Sequence, residues 1–292
     1  MLFTRLIFFL CASVVVAQKE KLRNEIFKIT QSKNADVGIS IVGLEDHDTL
    51  SVNGQKHYPM QSVYKFHLAL AVLHEVDQGK LSLDQKIKIG KNELAPDTWS
   101  PIREKFPNGT TLTLAEILKY TVSQSDNTGC DILFTLVGGT KTVNDYFQIN
   151  RFKDISIVAT EAEMHKDWEV QFSNWTTPCE TSNLLKAFYE SKLLSAENND
   201  FLWKIMSETS TGQNRIKGQL PEGTIVAHRT GSSGTNEKGI TAAVNNIGIV
   251  TLPNGKHFSI SVFVSNSSEN METNEKIIAD ITKLAWDYFK NK

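Results

Sequence analysis

The amino-acid sequence predicts an α+β fold, in which an antiparallel sheet is flanked by the terminal helices and an all-helical lobe is inserted between its two halves. Strand-like alternation occurs in residues 37–52 and again after residue 224. Between residues 55 and 207 the apolar spacing is instead mostly helical. Because this long insertion separates the strands, the order of elements favours two lobes that fold together. A cleft between such lobes is the expected ligand site.

The first 17 residues have the features of a secretory signal peptide. A short basic segment, Met1–Arg5, precedes the apolar run Leu6–Val16, which is too short to span a bilayer. We therefore expect cleavage after Ala17 and export to the periplasm. Lipid attachment through Cys11 is a weaker alternative, because Leu10 stands where a small residue is expected.

Residues 18–54 and 208–292 are expected to form the α/β lobe. Leu22, Ile26 and Ile29 lie at helical spacing in its first segment. Pro253-Asn254-Gly255 predicts a tight turn between its last two strands. Helices are predicted over residues 18–31 and 274–289, and strands over residues 37–42, 49–52, 224–228, 240–250 and 258–264.

Residues 55–207 are expected to form the helical lobe. The run Val63–Val76 is apolar on nearly all faces, as a central buried helix must be. No stretch rich in proline, glycine or serine divides the chain, so the two lobes are expected to be one folding unit.

The composition limits the classes of protein to which the chain can belong. Its 292 residues carry a formal net charge of −2 and are 40% hydrophobic, which is typical of a globular protein. We expect no nucleic-acid partner, and no membrane association once the signal peptide is removed. Cleavage would leave Cys130 and Cys179, which are compatible with a disulfide or, as we favour, with two reduced thiols. Neither has a neighbour at zinc-site spacing, so no metal site is predicted.

The first chemical motif is Ser62-Val63-Tyr64-Lys65. A serine and a lysine three residues apart lie on the same face of a helix. At the start of a helix the serine also lies near unpaired N–H groups and the positive end of the dipole, which stabilise developing negative charge. A neighbouring amine can accept the hydroxyl proton and so activate Ser62 as a nucleophile. This spacing also arises by chance, but here it occurs once, at the start of the helix predicted to be fully buried.

Two further motifs follow along the chain. Ser125-Asp126-Asn127 offers a hydroxyl that can relay a proton to a leaving group and an amide that can hold a substrate. Arg229-Thr230-Gly231, at the end of a predicted strand, offers a cation, a hydroxyl and a backbone without a side chain. Each triplet alone is common in loops and caps, so the argument depends on their order and on their placement on helix, loop and strand.

Together the three motifs match the signature of class A β-lactamases and penicillin-binding proteins. After residue 17 the chain resembles class A serine β-lactamases throughout, and it is most similar to the branch that contains the PER, VEB and CblA types of Bacteroidetes. The resemblance implies a serine β-lactamase/penicillin-binding-protein-like fold with an omega loop at about residues 156–175. It also implies hydrolysis of penicillins and cephalosporins through an acyl-enzyme on Ser62. We expect no cofactor, a small-molecule β-lactam as the binding partner, and a monomer.

A class A β-lactamase also needs a glutamate that activates water for deacylation, and the resemblance assigns Glu161 to this role. The family places Leu and Asn three and four positions after this glutamate, and Met164 and His165 stand there in this sequence. His165 would then replace the residue that helps to hold the water. Glu163 is the competing assignment, but it would break this spacing.

The same resemblance supplies the residues expected to bind substrate. The backbone N–H groups of Ser62 and Ser232 are expected to form the oxyanion hole. Arg215 resembles the arginine with which this branch binds the substrate carboxylate, and Trp99 falls where the family lines the entrance with an aromatic ring. The expected substrate-binding residues are Trp99, Asn127, His165, Arg215, Arg229, Thr230, Gly231 and Ser232.

Two departures from the family pattern are informative. Arg229 replaces the usual lysine, and because the two residues are not interchangeable the substrate preference stays open. Many class A enzymes hold the omega loop with an Arg–Asp ion pair, but Ala159 and Asn174 stand at those positions here, which predicts another arrangement. Relatives in this branch have a widened site, so activity on bulky cephalosporins is a hypothesis.

The expected mechanism begins with activation of Ser62 by Lys65, by Glu161 through its water, or by both. Ser125 then passes a proton to the departing nitrogen, and Glu161 directs water at the acyl-enzyme. Two alternatives are a penicillin-binding DD-peptidase and a non-catalytic β-lactam sensor. A hydrolase turns over a chromogenic cephalosporin, whereas either alternative reacts with it once.

Overall fold

The computed structural model describes the chain from residue 2, and its side chains from residue 17 onward. The predicted signal peptide, residues 1–17, therefore lies almost entirely outside the described side chains. Within the described part of the chain, no helix is both long and apolar enough to cross a membrane.

Helices and strands follow one another in the predicted order. The helices are α1 (Leu2–Gln31), α2 (Tyr64–Asp77), α3 (Pro101–Lys105), α4 (Leu114–Ser123), α5 (Asn127–Val137), α6 (Thr140–Ile149), α7 (Glu161–Met164), α8 (Pro178–Tyr189), α9 (Ala196–Ser207) and α10 (Met271–Phe289). The strands are β1 (Asp36–Gly43), β2 (Thr49–Val52), β3 (Tyr58–Pro59), β4 (Lys86–Ile89), β5 (Thr110–Thr113), β6 (Ile155–Ser156), β7 (Trp175–Thr176), β8 (Val226–Ser232), β9 (Thr241–Thr251) and β10 (His257–Ser267).

One antiparallel sheet, in the order β2-β1-β10-β9-β8, brings the two ends of the chain together. Strands β9 and β10 are buried along almost their whole length, because helices cover both faces of the sheet. The α+β prediction is confirmed. The strand predicted over residues 224–228 is shifted, since β8 continues to Ser232 and therefore carries Arg229 in its interior.

The sheet separates two apolar cores. On one face Ile26 of α1 and Ile281 of α10 pack with sheet residues such as Val262. On the other face the sheet meets the helical lobe, and α2 is buried without interruption from Tyr64 to Leu73. Each fully buried large apolar side chain stabilises the fold by roughly 1.5–3 kcal/mol. The motif at Ser62 therefore begins a helix whose position is fixed by the core of the lobe.

The helical lobe also contains two small sheets that the sequence did not predict. Strands β4 and β5 pair with each other, and β3, β7 and β6 form the second sheet. Strands this short give too few alternating residues for a periodicity signal. The second sheet matters for the site, because the pairing of Pro59 with Trp175 joins the chain before Ser62 to the end of the omega loop.

Helices α1 and α10 and the C-terminal Lys292 are all bound to the turn between β1 and β2. Asp48 accepts hydrogen bonds from Lys19 (2.8 Å), Tyr288 (2.5 Å) and Lys292. Although burial opposes the effect, these donors hold the pKa of Asp48 well below its usual range. In the described part of the chain no disulfide supplements these hydrogen bonds, because Cys130 and Cys179 are free thiols.

Candidate active site

A cleft of about 610 Å³ lies between the helical lobe and the edge of the sheet. It brings together segments that are far apart in the sequence. Residues from the sequence prediction that line it are Ser62, Trp99, Ser125, Asn127, Glu161, His165, Arg215, Thr230, Gly231 and Ser232. The remaining two, Lys65 and Arg229, have no exposed surface and are not among the lining residues.

Ser62 lies in a 3-10 turn, residues 61–63, that leads directly into α2. The turn is strained, because Gln61 adopts a positive φ of 48°. Contacts on both sides hold it in place. Asn245 of β9 donates to the carbonyl of Pro59 (2.8 Å), and the Gln61 side chain donates to Gln171 (2.5 Å). The surrounding fold therefore stabilises a conformation that would be unfavourable in an isolated peptide.

Lys65 lies beneath Ser62 and connects the chemical motifs. Its Nζ lies 3.0 Å from Ser62 Oγ, 3.0 Å from the Ser125 carbonyl oxygen and 2.9 Å from Glu161 Oε1. It also donates to Asn127 Oδ1. A buried charge is tolerated only with such partners. The Ser62 hydroxyl is thus within hydrogen-bond distance of the Lys65 side chain.

Glu161 lies close enough to Ser62 for one water molecule to connect them. Ser62 Oγ and Glu161 Oε1 both contact Lys65 Nζ, at 3.0 Å and 2.9 Å. The distance between these two oxygens therefore cannot exceed the sum of the two contact distances. A water that forms two ordinary hydrogen bonds spans about that distance. Glu163 plays a different part, because it caps α7 by accepting from the Thr160 N–H at 2.8 Å, which lowers the pKa of Glu163.

Asp131 is a site residue that the sequence analysis missed. Its two carboxylate oxygens accept from the backbone N–H groups of Glu161 (2.9 Å) and Ala162 (3.0 Å). Burial raises the pKa of Asp131 to about 6. The sequence contained a signal that could have identified Asp131 as a site residue. Asp131 follows Asn127 by four positions and therefore lies on the same face of α5.

The omega loop is closed by Asn174. Its side-chain oxygen accepts from the N–H groups of Val158 (2.8 Å) and Ala159 (2.9 Å), and its side-chain nitrogen donates to the Ala159 carbonyl (2.7 Å). The backbone carbonyl of Asn174 accepts from the backbone N–H of Met60 (2.9 Å). A neutral amide thus provides the other arrangement that the sequence predicted in place of an ion pair, and it ties the loop to the segment before Ser62.

Arg229 contacts Ser125 instead of the open cleft. Its Nη2 donates to Ser125 Oγ at 2.6 Å, and Ser125 itself has a positive φ of 63°. Complete burial lowers the pKa of Arg229 to about 10, with Glu161 acting in the opposite direction. The sequence analysis placed Arg229 among the residues that bind the substrate directly. The structure places the guanidinium beneath the cleft floor, where it orients the Ser125 hydroxyl.

Arg215 lines the cleft and is held by several neighbours. Nη2 donates to Ser232 Oγ (2.7 Å), Nη1 donates to the carbonyls of Gly231 (3.2 Å) and Asn245 (3.0 Å), and Nε donates to Glu275 (3.1 Å). Burial lowers the pKa of Arg215, and Glu275 opposes this shift. Of the five donors of a guanidinium, one on Nη2 is left to meet a ligand.

Gly231 allows β8 to lie directly against the turn that carries Ser62. A Cβ atom at this position would lie 2.4 Å from the Met60 carbonyl oxygen and 3.1 Å from Val63 N. No side chain fits in that space. The close approach brings the backbone of Ser232 to the side of Ser62, as an oxyanion hole built from these two residues requires.

The entrance of the cleft carries aromatic and polar side chains. Trp99 is 56% exposed, and its Nε1 donates to the Gln124 carbonyl at 2.9 Å. His165 and Trp168 of the omega loop line the same opening, and Trp168 was not predicted from the sequence. In the residues that the structure describes, no group of three or more His, Cys, Asp or Glu side chains is arranged to hold a metal ion.

Comparison with known proteins identifies the class of protein that this fold and site define. Residues 19–289 match the family described as "Beta-lactamase enzyme family". The chain is 55% identical to beta-lactamase VEB-1 of Pseudomonas aeruginosa, over 94% of this chain and 93% of the relative. It is 43% identical to the extended-spectrum beta-lactamase PER-1 of the same species, over 93% of this chain and 88% of the relative.

Solved structures agree with these relatives. The TLA-3 extended-spectrum beta-lactamase superimposes with a TM-score of 0.92 at 56% identity, covering 93% of this chain and 99% of the other. A beta-lactamase from Chitinophaga pinensis DSM 2588 gives a TM-score of 0.90 at 52% identity, covering 91% and 98%. The chain belongs to the beta-lactamase enzyme family as a class A serine β-lactamase, and its activity is the hydrolysis of β-lactam antibiotics.

The closure of the omega loop leads to a stability prediction. Asn174→Ala removes the side-chain acceptor and donor that pair with the backbone of Val158 and Ala159, and the two groups of Ala159 are buried. We therefore expect the free energy of unfolding to fall by about 2–3 kcal/mol. Thermal and urea unfolding measure this change. Asn183→Ala, on an exposed face of α8, is the matched control and should change stability by less than about 0.5 kcal/mol. Equal stability of the two variants would contradict the role assigned to Asn174.

Proposed function

We propose that Ser62 is the nucleophile that opens the β-lactam ring and that Lys65 and Glu161 control its protons. One observation carries the proposal: Lys65 Nζ contacts Ser62, Ser125, Asn127 and Glu161 at once. Lys65 can accept the proton of Ser62 only as a neutral amine, a form it reaches by giving a proton to Glu161. The other acceptor is Glu161 itself, which would take the proton through a bridging water.

In the acylation step, Ser62 Oγ attacks the lactam carbonyl and the negative charge develops on the carbonyl oxygen. The N–H groups of Ser62 and Ser232 are proposed to stabilise it, and removing one such donor typically costs about 3 kcal/mol in the transition state. The C–N bond then breaks and the nitrogen takes a proton from Ser125. Ser125 recovers a proton by way of Lys65, so the proton that left Ser62 replaces the one given to the nitrogen. The 2.6 Å bond from Arg229 supports this role, since an arginine that donates to Ser125 Oγ leaves the hydroxyl proton free to be given away.

In the deacylation step, Glu161 takes a proton from water, and the resulting hydroxide attacks the ester carbonyl. The ester bond between that carbonyl carbon and Ser62 Oγ then breaks, and the proton held by Glu161 returns to Ser62 Oγ by way of Lys65, which releases the product and restores the free enzyme. The backbone N–H groups of residues 161 and 162 donate to Asp131. These two hydrogen bonds support the assignment, because they fix the position of the backbone from which the Glu161 side chain extends. Thr230 and the free N–H of Arg215 are proposed to hold the substrate carboxylate. Arg229 contributes its charge from beneath the cleft floor.

Replacement of the proposed base tests the deacylation step. Glu161→Gln should slow deacylation by at least about 100-fold, because an amide cannot take the proton from water. Mass spectrometry after mixing with benzylpenicillin should then show an adduct with the mass of the intact antibiotic. Rapid adduct formation would favour Lys65 as the acylation base, and slow formation would favour Glu161.

Glu163→Gln is the matched control for this experiment. Glutamine preserves the cap on α7, so this variant should turn over benzylpenicillin at close to the wild-type rate. Wild-type turnover by Glu161→Gln would refute the assignment of the base. The same assay separates the alternatives, since a DD-peptidase or a sensor would keep the adduct even with Glu161 present.

We also propose that the substrates include oxyimino-cephalosporins. PER-1 and TLA-3 are called extended-spectrum beta-lactamases. The cleft of about 610 Å³, which Trp168 lines, supports the binding of a bulky substrate side chain here. The wild-type kcat/KM for an oxyimino-cephalosporin should exceed about 10⁴ M⁻¹s⁻¹, the lower end of the ordinary enzyme range. A value near the uncatalysed background, with benzylpenicillin still hydrolysed, would exclude this substrate class.

Export is proposed from the sequence of residues 1–17, with the mature protein acting as a monomer in the periplasm. The N-terminus of the protein released from the periplasm of an expressing Gram-negative host should be Gln18. Intact mass measurement decides this point. A mass that retains residues 1–17 would refute cleavage at Ala17, and a lipid-sized addition would favour attachment through Cys11.

A further inference from the structure

The omega loop contacts the turn of Ser62 through two glutamine side chains. The Gln61 side-chain nitrogen donates to the Gln171 side-chain oxygen at 2.5 Å, and the Gln171 side-chain nitrogen donates to the Trp168 carbonyl oxygen at 2.7 Å. Gln171 is buried, Gln61 is partly buried, and both line the cleft. Two amides therefore connect the backbone of the omega loop to the residue immediately before Ser62.

The direction of both amides is fixed by the last acceptor. A carbonyl oxygen only accepts hydrogen bonds, so the nitrogen of the Gln171 amide must face Trp168. The oxygen of that amide then faces Gln61, which must turn its own nitrogen toward it. The contact therefore depends on an amide at position 171, and an apolar side chain of similar size cannot replace it.

Gln61 has a backbone conformation that needs such support. Its φ of 48° lies in the left-handed region, which is unfavourable for a residue that carries a side chain. The N–H of Ser62 belongs to the peptide bond between residues 61 and 62, so its direction depends on the backbone angles of Gln61. A hydrogen bond between neutral groups contributes a free energy of similar size to this strain. The contact with Gln171 can therefore offset much of the cost.

The other contacts of the turn hold the residue before Gln61. Met60 donates through its N–H to the Asn174 carbonyl (2.9 Å), and the Met60 carbonyl accepts from the Asn245 side chain (3.2 Å). Among the described residues, the contact with Gln171 is the one hydrogen bond that the Gln61 side chain makes. Loss of this contact would therefore release Gln61 while the backbone of Met60 stays held.

We infer that Gln171 is a positioning residue that keeps Gln61 in its left-handed conformation and so holds the N–H of Ser62 where the oxyanion forms. Gln171 acts through Gln61 and does not touch the reacting atoms. The omega loop thereby contributes to the tetrahedral intermediate of acylation as well as to deacylation, for which it carries Glu161. The inference rests on the proposed function, because it assumes that the Ser62 N–H stabilises the oxyanion.

Binding of phenylboronic acid measures the geometry of this turn separately from deacylation. The Ser62 oxygen adds to the trigonal boron, the hydroxyl proton is released, and the product is a tetrahedral anion that resembles the intermediate of acylation. No ester is formed, so no step needs a water activated by Glu161. The dissociation constant therefore reports how well the turn of Ser62 accommodates a tetrahedral anion.

Replacement of the Gln171 amide tests its role. Gln171→Met keeps the length and approximate shape of the side chain, but the thioether is only a weak acceptor. The dissociation constant of phenylboronic acid, measured by isothermal titration calorimetry, should rise about five- to tenfold. The kcat/KM for benzylpenicillin should fall by a similar factor. Gln78→Met, at the exposed end of α2, is the matched control and should change neither value.

Two substitutions of Gln61 separate the strain from the side chain. Gln61→Ala keeps the unfavourable backbone conformation without the contact, so the dissociation constant of phenylboronic acid should rise about as much as in Gln171→Met. Gln61→Gly also loses the contact, but glycine adopts a positive φ without steric cost, so the value should stay within about twofold of wild type. In the Gln61→Gly background, Gln171→Met should have no further effect.

Three results would overturn the inference. An unchanged dissociation constant with a reduced kcat/KM in Gln171→Met would mean that Gln171 acts only through Glu161, and no change in either value would mean that Gln61 needs no support. An equal loss in Gln61→Ala and Gln61→Gly would mean that backbone strain plays no part. Gln171→Ala is measured in the same way in case the methionine variant does not fold.

Failure of the proposed function would give a different result. The wild-type protein would then form no adduct on Ser62 with either benzylpenicillin or phenylboronic acid, whatever residue stands at position 171.

Discussion

The buried Lys65 ammonium is the interaction on which the rest of the site depends. A charge with no exposed surface costs several kcal/mol unless oxygens replace its water shell. The oxygens that replace it come from four places in the chain: the serine at the start of α2, the carbonyl of Ser125, the amide of Asn127 and the carboxylate of Glu161. The need to satisfy one charge therefore holds together the groups that the chemistry requires.

The fold provides this arrangement because both lobes pack against the short turn at residues 61–63. The turn that carries Ser62 has β8 on one side, where only glycine fits at position 231, and the end of the omega loop on the other, where Asn174 binds Met60. Positive φ angles at Gln61 and Ser125 persist because these contacts over-determine the backbone. The strain is localised where the hydroxyl groups must converge.

The two arginines of the site act in different ways. Arg215 is paired with Glu275 and uses most of its donors on the backbone of β8 and β9, so it mainly shapes that edge of the cleft. Arg229 has no carboxylate within salt-bridge distance among the described residues, and it contributes positive charge beneath the floor while it orients Ser125. An arginine in place of lysine suits this position, because its fork of donors reaches Thr230 as well.

The sequence by itself determined the fold class, the central buried helix and the three motifs, because each is a local pattern of period, spacing or order. It also favoured Glu161 over Glu163, and the separate capping role of Glu163 agrees with that choice. Tertiary structure alone decided the burial of Arg229 and the closure of the omega loop by Asn174. It also decided the contact between Gln61 and Gln171, which are 110 positions apart. Contacts between distant segments depend on how the lobes pack, and no periodicity in the chain encodes that packing.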